Sequence, residues 1–310
     1  MSTKFQLNEE MFQPAENQFA EADKISRPSI TYWRDVWRRF RKNKLAMFGL
    51  FTIIALIIMA AIGPYLNDYT YYEQNYEEMN QRPNAEHWFG TDASGRDIFT
   101  RIWYGARISL FIGIMAAFID FLIGIMLGGI AGLRGGRVDH VLMRIAEVLY
   151  SIPYLLVVIL MMFVLQPGVW SIIIALTITS WIPMARLVRG QVLQLKENEY
   201  VQAAKVSGAN MGWTLRKHLI PNSMGPILVN MTLTVPSAIF AEATLSFLGL
   251  GVQAPMASWG SLASDALGSI LIGNFYQIAF PAFFISLTMF AFNLLGDGLQ
   301  DALDPKLRDE

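Results

Sequence analysis

From Val148 to Ala185 the chain runs 38 residues without a charged side chain, interrupted only by the turn-forming group Gln166, Pro167 and Gly168. A bilayer core of about 30 Å takes roughly 20 apolar residues per helix, so this run holds two spans joined at the break. Uncharged runs recur at Leu45 to Leu66, Leu219 to Ala241 and Ala266 to Gly296, and Ile108 to Leu133 carries Asp120 as its only charge. The pattern predicts an all-α integral membrane protein with six transmembrane helices, at about 45–66, 108–132, 143–165, 169–189, 224–248 and 275–297. Composition agrees: 16% of the residues are charged, where soluble domains carry roughly 25%. A net charge of -1 argues against a nucleic-acid partner. The absence of cysteine removes disulfide frameworks, thiolate metal sites and cysteine nucleophiles. The first span begins after residue 44 and exceeds the apolar length of a cleavable signal, so it is expected to stay as an anchor.

Orientation follows from the basic residues. Of 24 Lys and Arg, 20 precede the first span or fall in alternate connections, leaving Arg82, Arg96, Arg101 and Arg107 on the other side. Basic loops remain in the cytoplasm, so both termini are expected there.

Between the spans the sequence divides further. Residues 1–30 read as a loosely ordered polar tail. In Thr31 to Lys44, Tyr32, Trp33, Val36, Trp37 and Phe40 recur at helical spacing among arginines. That composition suits an amphipathic helix on an anionic leaflet; a plain positive-inside anchor explains the charges but not the aromatics. The outer segment from Asn67 to about Tyr104 is acidic and contains Trp88, Phe89 and Trp103. It reads either as a structured loop or as a docking surface. Gly124, Gly128 and Gly132, spaced four apart, form a smooth stripe that serves packing within the chain or a dimer face. Pro153 and Pro236 predict kinks.

No catalytic constellation emerges. His87, His140 and His218 fall in separate connections, and there is no H-E-x-x-H or Walker A sequence. Gly249, Gly251 and Ala254 fit G-x-G-x-x-A but follow a membrane helix instead of a strand, so the match is fortuitous. Asp120 and Asp297 are the only aspartates to test for intramembrane proteolysis. A charge at a helix centre costs roughly 2.5–3.5 kcal/mol on insertion scales, so Asp120 is expected to face the interior and is the candidate residue of a translocation path. Glu147 and Glu242 sit nearer span ends, where snorkelling or capping accounts for them.

The connection from Gly190 to Pro221 is the most informative. Asn198 is placed to cap a helix whose first turn carries Glu199, favourable at the positive end of the dipole. That helix reaches Ser207 and stops at Gly208, suited to a left-handed cap. A second short helix, from Asn210 to about Leu219, is expected to end before Pro221. Tyr200, Ala203, Ala204, Val206, Met211, Trp213 and Leu215 give this knob an apolar surface. The knob lies on the bilayer or inserts into a protein groove.

Here the sequence resembles a family. Gln202 to Asn222, QAAKVSGANMGWTLRKHLIPN, resembles the E-A-A-x-x-x-G loop of permease subunits in bacterial ATP-binding cassette (ABC) importers. Gly90 to Gly113 and Gly296 to Arg308 resemble the peptide and nickel branch, and Phe40 to Leu50 resembles the start of its C-type subunits. The resemblance implies a type I importer permease fold. Its domains would be a cytoplasmic tail with an amphipathic helix (1–44), a first span (45–66), an extracytoplasmic loop (67–105), a core (106–298) carrying the coupling loop (196–222), and a tail (299–310). It also implies that the loop's first helix docks on an ATPase subunit. Ala203 and Ala204 would allow close approach, Gly208 would make the turn and Pro221 would end the knob. Glu199 and Gln202 belong to the same coupling site, but the motif has Glu where this chain has Gln202, so neither is given an ion-pair role.

The implied assembly has a second homologous permease subunit, two ATPase subunits holding ATP and Mg, and an extracytoplasmic peptide-binding protein. This chain would bind no cofactor or metal and would be no enzyme. Oligopeptides are the expected substrate, with dipeptides or nickel as alternatives; a stand-alone secondary transporter is the alternative from another class.

Overall fold

The computed structural model describes residues 31–304. The 1–30 tail and the Lys306 and Arg308 end of the last motif lie outside the described residues. Among the described residues the long elements are all helices: α1 (Tyr32–Lys42), α2 (Lys44–Ile62), α3 (Ile98–Arg134), α4 (Gly136–Ser151), α5 (Tyr154–Leu165) and α6 (Val169–Leu195). They continue as α7 (Glu199–Val206), α8 (Met211–Thr214), a π-helical turn (Leu215–Leu219), α9 (Ile220–Phe247), α10 (Trp259–Asp265), α11 (Leu267–Ile270) and α12 (Tyr276–Leu303). Five stretches are long and apolar enough to cross a membrane, and α4 with α5 makes a sixth if counted as one bent span.

The helix boundaries depart from the uncharged runs for local reasons. The second span begins at Ile98, not near 108, because its flanking charges are all paired. Asp97 caps the helix by accepting the Thr100 amide at 2.8 Å. Arg101 is buried against Asp92 and Asp265, and Arg107 donates to the carbonyls of Ala60 and Ala61 at 2.6 and 2.7 Å. The third span breaks at Ile152–Pro153, where α4 and α5 meet at 85°. Proline disfavours a helical residue before it and removes a donor, which gives the break a cause. Pro236, by contrast, stays inside an unbroken α9.

Helix α3 is central, packing on α6, α9 and α2. The glycine stripe faces α6: a β-carbon on Gly124 would meet Met184, on Gly128 the Ala185 carbonyl, and on Gly132 the Arg189 carbonyl at 2.9 Å. These glycines therefore serve packing within the chain. Helix α12 closes on α2 and α9.

Both described ends of the chain lie at the same end of the bundle. Val36 and Phe40 of α1 pack with Ala302 and Leu303, and Arg39 Nη1 donates to the Asp304 carbonyl at 3.1 Å. Trp33 and Trp37 stay exposed on the adjoining face of α1, with Trp37 stacked on Phe40.

The segment after α2, from Asn67 to the start of α3, is a structured cap over the other end. The Tyr276 hydroxyl lies 2.9 Å from the Gln81 carbonyl, Gln277 donates to Asn80 Oδ1 at 2.9 Å, and Phe89 stacks on Phe280. Its acidic residues separate into two sets. Asp92 and Asp97 are internal, Asp92 holding Arg96 and Arg101 and Asp97 meeting His87 Nδ1 at 2.9 Å. Asp68, Glu73, Glu77 and Glu86 remain exposed. Burial, helped by Glu78, Glu86, Asp97 and Asp68, pushes the Tyr69 phenol above its ordinary range.

Candidate functional site

The knob forms at the end of the bundle where the chain's described ends meet. Helix α7 is held from below by Val201, fully buried in a cluster with Val188, Val192, Leu219 and Ile227. A second attachment is polar: Gln202 Nε2 donates to the Lys196 carbonyl at 2.9 Å, closing one of the free carbonyls at the end of α6. Glu199, Gln202 and Ala203 are exposed and Ala204 is half-buried, so the small face of α7 is open to a partner.

The turn after α7 is a complete Schellman motif. The Gly208 amide donates to the Lys205 carbonyl and the Ala209 amide to the Ala204 carbonyl, both at 3.0 Å. Gly208 has φ +86°, and a β-carbon there would have no neighbour within 4 Å. Conformation, not space, demands glycine at this position.

Two expectations for this segment do not hold. The exposed Asn198 side chain makes no capping bond; its carbonyl accepts the Val201 and Gln202 amides instead, and water is free to reach the helix's remaining first amides. Pro221 does not end the knob. After α8, which Asn210 does cap through the Trp213 amide at 2.8 Å, the widened turn Leu215–Leu219 leads directly into α9, with Pro221 in its first turn. Pro221 has no amide to donate, the last bond of the π turn being the Ile220 amide on the Leu215 carbonyl, and next to it the Asn222 side-chain amide donates to the His218 carbonyl at 2.6 Å. The chain from Met211 to Phe247 is thus one apolar rod that carries the knob at its base.

Sequence reasoning missed the residues that attach the knob. Val201 was detectable as the apolar position opposite the small face of α7. Leu215, expected on the knob's surface, instead faces Gly129 of α3, and the Gln202 bond gave no sequence signal. The exposed large apolar side chains of the knob are Tyr200, Val206, Met211 and Trp213, with His218 packed between the rings of Trp213 and Tyr200.

Inside the bundle, Asp120 is buried between α3 and α6. Its Oδ1 lies 2.8 Å from the Ser180 hydroxyl, and Oδ2 has no hydrogen-bond partner. Glu242 is fully buried and receives the hydroxyls of Ser109 at 3.1 Å and of Ser246 and Ser258 at 2.7 Å. It ties α9 to α3 and to the N-terminus of α10. Glu147 is exposed beside Arg144. Asp297 is exposed on α12 while Asp120 is buried between other helices, an arrangement unlike a catalytic pair. Among the described residues no group of His, Asp and Glu is arranged to hold a metal ion.

A family model described as binding-protein-dependent transport system inner membrane component matches residues 124–309. The chain belongs to this family. A second model, the N-terminal transmembrane domain of oligopeptide transport permease C, matches residues 31–83, so α1, α2 and the start of the cap also have a family counterpart. Relatives run the length of the chain. The dipeptide transport system permease protein DppC of Bacillus subtilis is 61% identical over 303 residues, 98% of this chain and 95% of the relative. The oligopeptide transport system permease protein OppC of the same organism is 56% identical over 298 residues, covering 96% and 97%. OppC of Escherichia coli K12 is 40% identical over 289 residues, covering 93% and 95%. The protein is a multi-pass membrane permease of the binding-protein-dependent class, in agreement with its motifs. The relatives' names do not separate dipeptide from oligopeptide systems.

Proposed function

We propose that this chain is the transmembrane permease subunit of an ATP-driven importer of peptides, oligopeptides first and dipeptides as the alternative. The observation that carries the reading is the knob: an exposed short helix with a small face, attached by Val201 and Gln202 and continuous with a membrane-crossing rod. A partner that pushes on α7 moves α9 with it, which is what coupling of an external closure to helix motion requires. The partner would be one of two ATPase subunits holding ATP and Mg. Glu199, Gln202, Ala203, Ala204 and Gly208 would make or shape the contact, and Pro221 would lie within the rod, in the first turn of α9. A second permease subunit would complete the path, and a peptide-binding protein would dock on the outer cap, where Asp68, Glu73, Glu77 and Glu86 are exposed. The knob end is cytoplasmic in this reading, and 1–44, 67–105 and 196–222 are its tail, outer loop and coupling loop. Asp120 is assigned to the path side of the bundle; unchanged uptake by Asp120→Asn would remove it.

Competition uptake with di-, tetra- and longer peptides and with nickel tests the substrate: displacement by nickel alone would overturn the peptide reading. Orientation is tested in this cysteine-free chain by Val206→Cys and Ala93→Cys, both exposed. A membrane-impermeant thiol reagent added outside intact cells should label only Ala93→Cys.

A further inference from the structure

At the knob end, α6, α9 and α12 enclose a cleft of about 570 Å³ whose rim includes Tyr32. Its walls combine two chemistries. Leu195, Val229, Leu233 and Leu303 supply apolar surface, and Gln191, Gln194, Asn222, Asn230 and Gln300 supply five carboxamides. Asp304 at the end of α12 is the one carboxylate in the lining, and no Lys or Arg lines it. Asn222 is engaged with the His218 carbonyl. The side-chain amides of Gln191, Gln194, Asn230 and Gln300 make no hydrogen bond with any described residue.

Apart from the Asp304 carboxylate, the polar side chains of the lining are the uncharged Tyr32 hydroxyl and carboxamides. Lipid tails cannot use such groups, and within a bilayer unsatisfied amides are costly. A charged solute would be held better by fixed charges of opposite sign. A peptide backbone suits them, because each primary amide presents the same carbonyl acceptor and N–H donor as a peptide bond. Carboxamides also carry no charge to accept or reject a side chain. The apolar residues between them give side chains somewhere to rest.

Resting on the reading of this chain as a peptide permease, we propose that this cleft is a stretch of the translocation path in which Gln191, Gln194, Asn230 and Gln300 hydrogen-bond the backbone of the passing peptide, leaving passage indifferent to side-chain charge. Asn222 contributes its remaining carbonyl. The volume falls within the roughly 300–1,000 Å³ of small-molecule sites, so the cleft holds a short segment of peptide at a time.

The test uses the intact transporter in cells, with labelled trialanine and its analogues carrying a central glutamate or lysine. Gln194 is exposed, so Gln194→Glu and Gln194→Lys leave the packing intact. Uptake is expressed as the lysine-to-glutamate analogue ratio relative to the unaltered chain, so that selectivity from other components cancels. Gln194→Glu should raise this ratio about tenfold and Gln194→Lys should lower it by as much, as expected when an exposed unit charge about 6 Å from the peptide's own charge attracts one analogue and repels the other at a water-like dielectric near 80. Gln191→Leu combined with Asn230→Leu should depress uptake of all three peptides alike. A ratio unmoved by both charged variants, with the unaltered chain taking up all three peptides, overturns the cleft assignment alone. If the unaltered chain takes up none of them, the peptide-permease reading falls, and this proposal with it.

Discussion

Arg189 of α6 holds Asp139 of α4 in a two-pronged ion pair, Nε to Oδ1 at 2.5 Å and Nη2 to Oδ2 at 2.6 Å. The pair sets where the chain goes after α3, because α4 has few other polar ties to the bundle. Next along the interface, Arg186 lies over the Tyr150 ring, and Ala146 packs into Trp181, Ile182 and Ala185.

Removing one partner, as in Asp139→Ala, should cost about 2 kcal/mol, the scale of hydrogen bonds to charged groups. The thermal midpoint of the solubilised transporter measures it. The reversed pair Asp139→Arg with Arg189→Asp should recover part of the loss; no recovery would mean that the geometry, and not the charge pairing, carries the contact.

The glycines of α3 and α6 should respond in opposite directions. Gly128→Ala drives a β-carbon into the Ala185 carbonyl, a backbone atom that cannot swing aside, and should destabilise by about 2 kcal/mol. Gly190 has open space and an ordinary helical conformation, so Gly190→Ala should stabilise by about 0.5–1 kcal/mol. Equal effects in thermal denaturation would contradict the assigned α3–α6 packing.

At Gly208 the demand is conformational. Gly208→Asn, which tolerates a left-handed backbone, should keep most peptide uptake, while Gly208→Val should lose it at unchanged membrane abundance. Normal uptake by Gly208→Trp would count heavily against docking of the knob.

Gln202→Glu tests the attachment of α7. A carboxylate cannot donate to the Lys196 carbonyl and adds negative charge at the negative end of α6. The loss should be about 1 kcal/mol locally, read as faster amide hydrogen exchange across residues 198–208 with the rest of the chain unchanged.

Glu242 offers a fourth contrast. Glu242→Leu leaves the buried hydroxyls of Ser109, Ser246 and Ser258 without their acceptor and should cost about 2–3 kcal/mol, whereas Glu242→Gln keeps one carbonyl and should cost less. Indistinguishable thermal midpoints for the two variants would dismiss the three-hydroxyl arrangement as a stabilising contact.

Several features were readable in the chain itself. Charge-free runs gave the membrane spans, since the bilayer penalises charge whatever the tertiary partners are. Gly208 was readable too, because a left-handed cap is a property of one residue and its immediate neighbours. The tertiary structure alone decided the rest. Asp92 and Arg101 look like loop charges until the fold brings them together and lets α3 begin at Ile98. The glycine stripe could have served a second chain until α6 was seen against it. Pro221 reads as a helix stop until the π turn before it lets α9 begin there. The common reason is range: hydropathy and capping act within a few residues, whereas pairing of a buried polar group or a bare backbone face depends on which distant segment arrives opposite it, as Ser109 does for Glu242 across 133 residues of chain.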